Sequence, residues 1–245
     1  MLIKVFNAVS LIEIMLMFNL DENQVAIIDY GMGNLFNVQR ACAKVGLRSV
    51  ITADKNVIMQ SNGVILPGVG AFGDAIANLK RLDLIGLIRE QISRNIPFLG
   101  VCLGMQLLMT ESEEFGGHKG FDIIRGRVVK FNNSDQRNPM IKVPHVGWNR
   151  ILFKKNQSMN LGDSVLQDIS NGEYMYFVHS YYPVPEDDAV TVTTTCYEGI
   201  EYCSSLSRGS VFAVQFHPEK SGLEGLKVYE NWANKVNQYE ELKHK

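Results

Sequence analysis

The feature that most constrains the fold is the segment Gly100-Val101-Cys102-Leu103-Gly104, which directly follows the apolar run Ile96-Pro97-Phe98-Leu99. A cysteine between two glycines is typical of a tight turn from a strand into a helix, because larger neighbours would block the sharp backbone reversal. Such a turn lifts the Cys102 sulfur out of a sheet and directs it at the positive end of a helix, where a thiolate is favoured. The segment therefore predicts a strand–helix architecture with a cysteine nucleophile at its edge.

The apolar pattern along the first half of the chain indicates a parallel sheet. We expect strands at 25–28, 48–52 and 63–66, and helices at about 35–45 and 75–93. Asn34 is the expected N-cap of the first helix. Strands and helices in this order predict parallel strands that are covered on both faces, with reactive groups at the carboxyl ends of the strands.

Strands dominate the pattern after residue 110. They are expected at 123–131, 175–178, 189–196 and 211–216, and a closing helix at about 223–236. The chain has 245 residues, 46% of them hydrophobic, and no interior Pro/Ser-rich linker, which is enough for one large α/β domain. We therefore predict a mostly parallel sheet with a mixed or antiparallel extension.

Composition and charge exclude several functional classes. A net charge of −2 argues against nucleic acid as a partner. The four cysteines, Cys42, Cys102, Cys196 and Cys203, show neither the spacing of metal ligands nor a dense disulfide pattern. We therefore expect no metal, no cofactor and a reducing cytoplasm.

The first 20 residues are mostly apolar, but Lys4 and Glu13 interrupt the run. A signal peptide requires a basic start and an unbroken apolar centre, and a spanning helix requires about 20 apolar residues with few charges. We therefore expect no membrane association. Residues 1–24 are expected to be a non-essential extension from a wrongly assigned start, and residues 25–240 to form the domain.

A histidine and a carboxylate lie where the sheet pattern would bring them to Cys102. His217 follows the last predicted strand, whose carboxyl end lies at the same sheet edge as Cys102. Pro218 stops that strand, and Glu219 can reach back to orient the imidazole. A cysteine, a histidine and a carboxylate in this relation suit acyl transfer.

Acyl transfer also requires hydrogen-bond donors for the oxyanion that develops on the attacked carbonyl. The candidates are the backbone N–H groups of Leu103 and of the loop at 67–70, which includes Gly70. Taken alone, that loop would be a plain turn. The Gly31-Met32-Gly33-Asn34 segment lacks the G-x-G-x-x-G dinucleotide pattern and indicates no more than a helix entry.

Together these segments resemble the class I, triad-type glutamine amidotransferases over nearly the whole chain from residue 25 to the last helix. The resemblance rests on six segments, at 29–34, 67–72, 100–106, 144–149, 178–182 and 217–222. It implies a flavodoxin-like α/β fold and hydrolysis of L-glutamine to glutamate and ammonia.

The resemblance also implies roles for individual residues. Cys102 would attack the side-chain amide and form a γ-glutamyl thioester, and His217, oriented by Glu219, would handle the protons. Four residues match positions that hold the glutamine in this family: Gln106, His179, Ser180 and Tyr181.

Within the family, two segments, Gly-Trp-Asn and His-Ser-Tyr, resemble those of one group of glutaminase subunits. Members of that group pass ammonia to a (β/α)8-barrel cyclase in imidazole glycerol phosphate synthesis. Asn34, Trp148 and Lys220 match positions at the interface with that cyclase. The resemblance implies low glutaminase activity without the cyclase and its ligand. Val146 stands where the family commonly has Met, so a paralogue that supplies ammonia for amidino sugars of surface polysaccharides stays open.

Two other classes remain as alternatives. A cysteine hydrolase or peptidase could use the same fold, although Gln106 and the segment at 179–181 argue against it. A silent scaffold that only supports a partner is the other, and the presence of Cys102, His217 and Glu219 argues against that.

Overall fold

The computed structural model describes residues 24–131, 141–154 and 164–243. The extension expected at 1–24 therefore lies outside the described residues, except for Gln24. None of the helices in these ranges combines the length and the hydrophobicity that a membrane span requires.

The strands form three sheets. In chain order they are β1 Val25–Ile28, β2 Ser49–Thr52, β3 Gly63–Gly68, β4 Phe98–Cys102, β5 Met109–Ser112, β6 His118–Lys119, β7 Ile124–Lys130, β8 His145–Arg150, β9 Leu152–Phe153, β10 Tyr174–His179, β11 Tyr181–Pro185, β12 Thr191–Tyr197, β13 Ile200–Arg208 and β14 Val211–Val214. The central sheet has the order β2-β1-β3-β4-β14-β13-β12-β9. Its first five strands run parallel and its last three antiparallel, which confirms the expected mixed extension.

Helices cover both faces of the central sheet. They are α1 Leu35–Lys44, α2 Lys55–Gln60, α3 Phe72–Arg81, α4 Ile85–Ser93, α5 Leu103–Leu107 and α6 Gly222–Lys243, with 3-10 turns at Asp188–Val190 and Pro218–Lys220. Successive side chains of a strand point to opposite faces. In β1, Ile27 accordingly packs in the cluster that contains Trp232 of α6, whereas Ile28 packs in the cluster that contains Phe72 of α3.

The single helix expected at 75–93 is wrong, because two helices occupy this stretch. α3 ends at Arg81, Asp83 takes a positive φ of 53°, and α4 begins at Ile85. A residue in this left-handed region ends a helix, and the Leu84 N–H closes the turn on the Leu79 carbonyl. The closing helix is longer than expected and extends to Lys243, because its last turns are polar and carry no Gly or Pro stop. Asn34 occupies the N-cap of α1, but its side chain makes no capping hydrogen bond.

The sequence pattern did not predict two strands, β8 and β11, that lie near Cys102. β11 contains Pro183 and Pro185, and it lies at the edge of the four-stranded sheet β11-β7-β5-β6, where proline is tolerated. β8 carries Gly147 and polar residues, and it pairs with β10 alone in a two-stranded antiparallel sheet. These two small sheets stand beside the central sheet and cover the carboxyl end of β4.

Candidate active site

Cys102 is the strained residue of the strand–helix turn. It ends β4 with φ 54° and ψ −108°, a conformation with positive φ that is costly for any residue except glycine. The flanking glycines are needed for space. A Cβ on Gly104 would lie 1.8 Å from the carbonyl oxygen of Leu66, and one on Gly100 would lie 3.1 Å from the Cβ of Ala213. The turn thus forms only where β3, β4 and β14 approach closely.

The loop at 67–70 lies beside Cys102, as the sequence predicted. Gly68 pairs with Cys102 in the β3–β4 register, and a Cβ on Gly68 would lie 2.9 Å from the Cβ of Leu103. Gly70 has a positive φ of 105°, which favours glycine at this position. Tyr30 anchors the start of the loop, because its hydroxyl donates a hydrogen bond to the Pro67 carbonyl at 2.9 Å. The two segments expected to supply oxyanion donors are therefore adjacent.

His217 and Glu219 form a buried pair next to Cys102. β14 runs parallel to β4, and His217 follows β14 by three residues at the same edge. The turn at Pro218–Lys220 brings Glu219 back, so that its Oε1 lies 2.8 Å from Nδ1 of His217. Both side chains are no more than 3% exposed. The His217 backbone is fixed at both ends, since its N–H donates to Tyr176 and its carbonyl accepts from Ser221.

The electrostatics of this pair favour a protonated imidazole. Burial lowers the pKa of His217, but the charge and hydrogen bonding of Cys102, together with Glu219, outweigh it and raise that pKa to about 10. Because Nδ1 binds Glu219, the interaction with Cys102 falls to Nε2. That contact is looser than a regular hydrogen bond, since Nε2 has no partner within hydrogen-bond geometry in the described part of the chain. Such contacts are commonly long before substrate binds.

Gln106 and Gln215 connect this group to the β10–β11 segment. The Gln106 Nε2 donates to the Tyr181 carbonyl at 2.8 Å and to Oε1 of Gln215 at 3.0 Å. Gln215 in turn places its Nε2 3.5 Å from the Cys102 Sγ. The sequence analysis missed Gln215 as a site residue. Its one signal was a polar residue inside the otherwise apolar stretch predicted as a strand at 211–216.

The segment at 179–181 lies at the site, but its histidine side chain points inward. The Val178 carbonyl lies 3.9 Å from the Cys102 Sγ, which places the end of β10 against the nucleophile. His179 is 5% exposed and binds the Tyr181 carbonyl and the Tyr202 hydroxyl. Its ring is therefore occupied by contacts within the protein, and the backbone atom that faces the sulfur is the carbonyl of Val178, directly before this segment.

The three residues expected at a partner interface are exposed at the same end of the sheet. Trp148 and Lys220 both contact the ring of Tyr176, at centroid distances of 6.1 and 5.7 Å. Asn34 is the N-cap of α1, and this helix packs against the turn that carries Lys220. The sequence analysis missed Tyr176, which joins two of these residues into one surface.

In the described ranges, no group of three or more His, Cys, Asp or Glu side chains could hold a metal ion. Cys42, Cys102, Cys196 and Cys203 all carry free thiols.

Comparison with known proteins identifies the family. The profile of class-I glutamine amidotransferases matches residues 26–236. "Imidazole glycerol phosphate synthase subunit HisH" of Moorella thermoacetica is 46% identical over 86% of this chain and 95% of its own length. The protein of the same name from Aquifex aeolicus is 44% identical over 87% and 97%. The solved structure of PurLQS from Thermotoga maritima shares the fold with a TM-score of 0.63 at 19% identity, covering 87% of this chain and 98% of that one. The chain therefore belongs to the class-I glutamine amidotransferase family.

Proposed function

We propose that this chain is the glutaminase subunit of an imidazole glycerol phosphate synthase, which hydrolyses L-glutamine and passes the ammonia to a cyclase for histidine biosynthesis. The observation that carries the proposal is the strained, buried Cys102 beside the His217–Glu219 pair. The names of the relatives support the histidine pathway, and nothing in the comparisons favours the amidino-sugar alternative. The family match argues against a peptidase.

Cys102 acts as the nucleophile in this mechanism. Its thiolate attacks the side-chain carbonyl carbon of glutamine, and a C–S bond forms as the carbonyl oxygen becomes an oxyanion. Protonated His217 then gives its Nε2 proton to the amide nitrogen. The oxyanion reforms the carbonyl as the C–N bond breaks, so ammonia departs and a γ-glutamyl thioester remains on Cys102. Neutral His217 next takes a proton from water, the resulting hydroxide attacks the thioester, and the C–S bond breaks to release glutamate. Glu219 holds the ring orientation through Nδ1 in both halves.

The oxyanion and the substrate have separate binding groups. We assign the backbone N–H groups of Leu103 and Gly70 to the oxyanion, because Leu103 opens a helix whose first N–H groups lack intrahelical acceptors. Gln106 uses its amide N–H groups within the protein, which leaves its Oε1 to accept from the glutamine ammonium. The backbone at 179–181 and the side chains of Ser180 and Tyr181 complete the binding site, whereas the His179 ring is used within the protein.

Exposed apolar side chains around this site support docking of a (β/α)8-barrel cyclase. Trp148 is 55% exposed and Phe36, at the start of α1, is 74% exposed, and both lie at the carboxyl end of the sheet. Large exposed apolar side chains with a neighbouring cation are typical of interface anchors. We assign Asn34, Trp148 and Lys220 to this heterodimer interface. Free ammonia would be protonated in water, so a docked acceptor protects the product.

We further propose that the chain acts in the cytoplasm, since its four free thiols suit a reducing compartment. Residues 25–240 would form the amidotransferase domain, which the family match at 26–236 supports. Residues 1–24 would then be dispensable, and a variant that starts at residue 25 should release glutamate as fast as the full chain.

Glutamate release tests the proposal. The purified chain should hydrolyse glutamine slowly alone and much faster with the cyclase and its nucleotide ligand. Cys102→Ala should abolish release under both conditions, whereas Cys196→Ser, which changes the exposed thiol, should not. High activity of the chain alone would contradict partner activation, and no release under either condition would contradict the glutaminase itself. Reconstitution with an amidino-sugar synthase separates the two pathways.

A further inference from the structure

A continuous line of hydrogen bonds crosses the core from β8 to the Cys102 sulfur. It contains, in order, Asn149, His145, Tyr202, His179, the Tyr181 carbonyl, Gln106 and Gln215. Five residues of this line are 5% exposed or less: His145, Tyr202, His179, Gln106 and Gln215. Water therefore offers these groups no alternative partners, and each donor or acceptor depends on its neighbour in the line.

The donor and acceptor of each hydrogen bond in the first half of this line follow from the chemistry of the groups. A carbonyl oxygen only accepts, so Nδ1 of His179 must carry the proton on the Tyr181 carbonyl at 2.9 Å. Burial lowers the pKa of His179 to about 3, so the ring is neutral and its Nε2 is an acceptor. The Tyr202 hydroxyl therefore donates to that Nε2 at 3.2 Å.

The same reasoning extends to β8. Because the Tyr202 hydroxyl has one proton, its oxygen must accept from Nδ1 of His145, 3.2 Å away. Burial lowers the pKa of His145 to about 4, so its Nε2 accepts from the Asn149 amide at 3.5 Å. That amide orientation is fixed independently, since the Asn149 Oδ1 accepts from the Arg150 N–H and its Nδ2 donates to the Cys196 carbonyl.

The second half runs from the Tyr181 carbonyl to the sulfur. Gln106 must present its NH₂ group to that carbonyl, and the same group donates to Oε1 of Gln215. With its oxygen committed, Gln215 can present only its NH₂ group to the Cys102 Sγ, at 3.5 Å. A reversed carboxamide would instead place an oxygen against the sulfur and repel a thiolate.

We propose that Gln215 is a catalytic residue that stabilises the Cys102 thiolate by an N–H···S hydrogen bond, and that the buried line from His145 to Gln106 positions its carboxamide. The proposal rests on the proposed glutaminase function, whose nucleophile it concerns. Hydrogen bonds from a neutral donor to an ionised acceptor are among the stronger ones in proteins, and burial strengthens them further. Tyr202 is the positioning residue that joins the two histidines.

Alkylation of Cys102 by iodoacetamide tests the role of Gln215 without any glutamine. The background is Cys196→Ser, so that the exposed thiol does not react. Gln215→Met should move the midpoint of the alkylation pH profile about one unit higher and slow alkylation about tenfold at pH values below the wild-type midpoint, because the thiolate loses a charged hydrogen bond. That midpoint belongs to the Cys102–His217 pair. The matched control is Gln91→Met, which changes another fully buried carboxamide whose partners are the Ile58 carbonyl and Arg94.

Two further variants test the positioning line. Tyr202→Phe leaves His179 and His145 without their shared partner, and we expect a shift in the same direction, about threefold in rate. Tyr182→Phe removes a hydroxyl from the same aromatic cluster, outside the line, and should leave the profile unchanged. An unchanged profile in Gln215→Met would overturn the catalytic role, and equal profiles for Tyr202→Phe and Tyr182→Phe would overturn the positioning role.

Glutamine kinetics separate this proposal from the function on which it rests. In the complex with the cyclase, Gln215→Met should lower kcat about tenfold and leave KM within about twofold, because the lost bond acts on the nucleophile. If the wild-type complex releases no glutamate while the alkylation shifts appear as expected, the proposed function fails and the role of Gln215 toward the thiolate stands. A rise in KM with unchanged kcat would overturn the role of Gln215 in the chemical step.

Discussion

The pKa of His217 provides the most direct test of the site's electrostatics. Burial lowers it, and Cys102 and Glu219 together raise it to about 10. Cys102→Ala removes the charge and the hydrogen bond of the sulfur but leaves burial and Glu219 in place. We therefore expect the pKa of His217 to fall in this variant, and to fall further in the double variant Cys102→Ala/Glu219→Gln.

The structure itself indicates the size of the fall. Burial takes the pKa of His145 to about 4 and that of His179 to about 3 from the ordinary value of 6.5, and neither ring binds a carboxylate in the described part of the chain. In Cys102→Ala, burial still lowers the pKa of His217, and only the Glu219 carboxylate raises it. We expect its pKa to fall by at least two units, which corresponds to about 3 kcal/mol in favour of the neutral ring.

The free energy of unfolding should depend on pH in the way that the pKa of His217 requires. The folded pKa of His217 lies above its ordinary value, so its protonation stabilises the fold fully below pH 6.5, and this contribution is lost as pH rises towards 10. In Cys102→Ala the loss should be complete at a lower pH. Histidine-labelled NMR titration, with His217→Asn to assign the resonance, measures the pKa, and urea unfolding at several pH values measures the stability. A pKa that stays near 10 in Cys102→Ala would refute the reasoning, because Glu219 alone would then set it.

Three further perturbations test packing, loop anchoring and docking. Gly104→Ala should cost at least 3 kcal/mol in urea unfolding, since its Cβ would lie 1.8 Å from a backbone oxygen, whereas Gly86→Ala in α4 meets nothing within 4 Å and should be neutral or slightly stabilising. Tyr30→Phe frees the Pro67 carbonyl and should lower kcat several-fold with little change in melting temperature. Trp148→Ala should weaken cyclase binding by about 2 kcal/mol, measured by calorimetry, while the isolated chain melts normally.

The arrangement of Cys102, His217 and Glu219 could be predicted because each lies in a local pattern and a parallel sheet brings strand ends to one edge. Gln215 and Tyr202 could not be predicted in the same way. Their partners come from strands far apart in the chain, and no local pattern records which groups will meet. A neutral buried histidine such as His179 has the same sequence appearance as a substrate ligand, and only its burial and partners separate the two.

Strain at Cys102 explains why a five-residue motif can indicate a site built from distant strands. A non-glycine residue at φ 54° and ψ −108°, outside the left-handed helical region, persists only where its surroundings leave no alternative. Here those surroundings are the contacts of Gly104 with Leu66 on β3 and of Gly100 with Ala213 on β14. Gly100 and Gly104 are therefore needed for close packing with two neighbouring strands. Neither glycine takes a positive φ itself. β14 also leads into His217, so the packing that strains the nucleophile fixes the distance to its base.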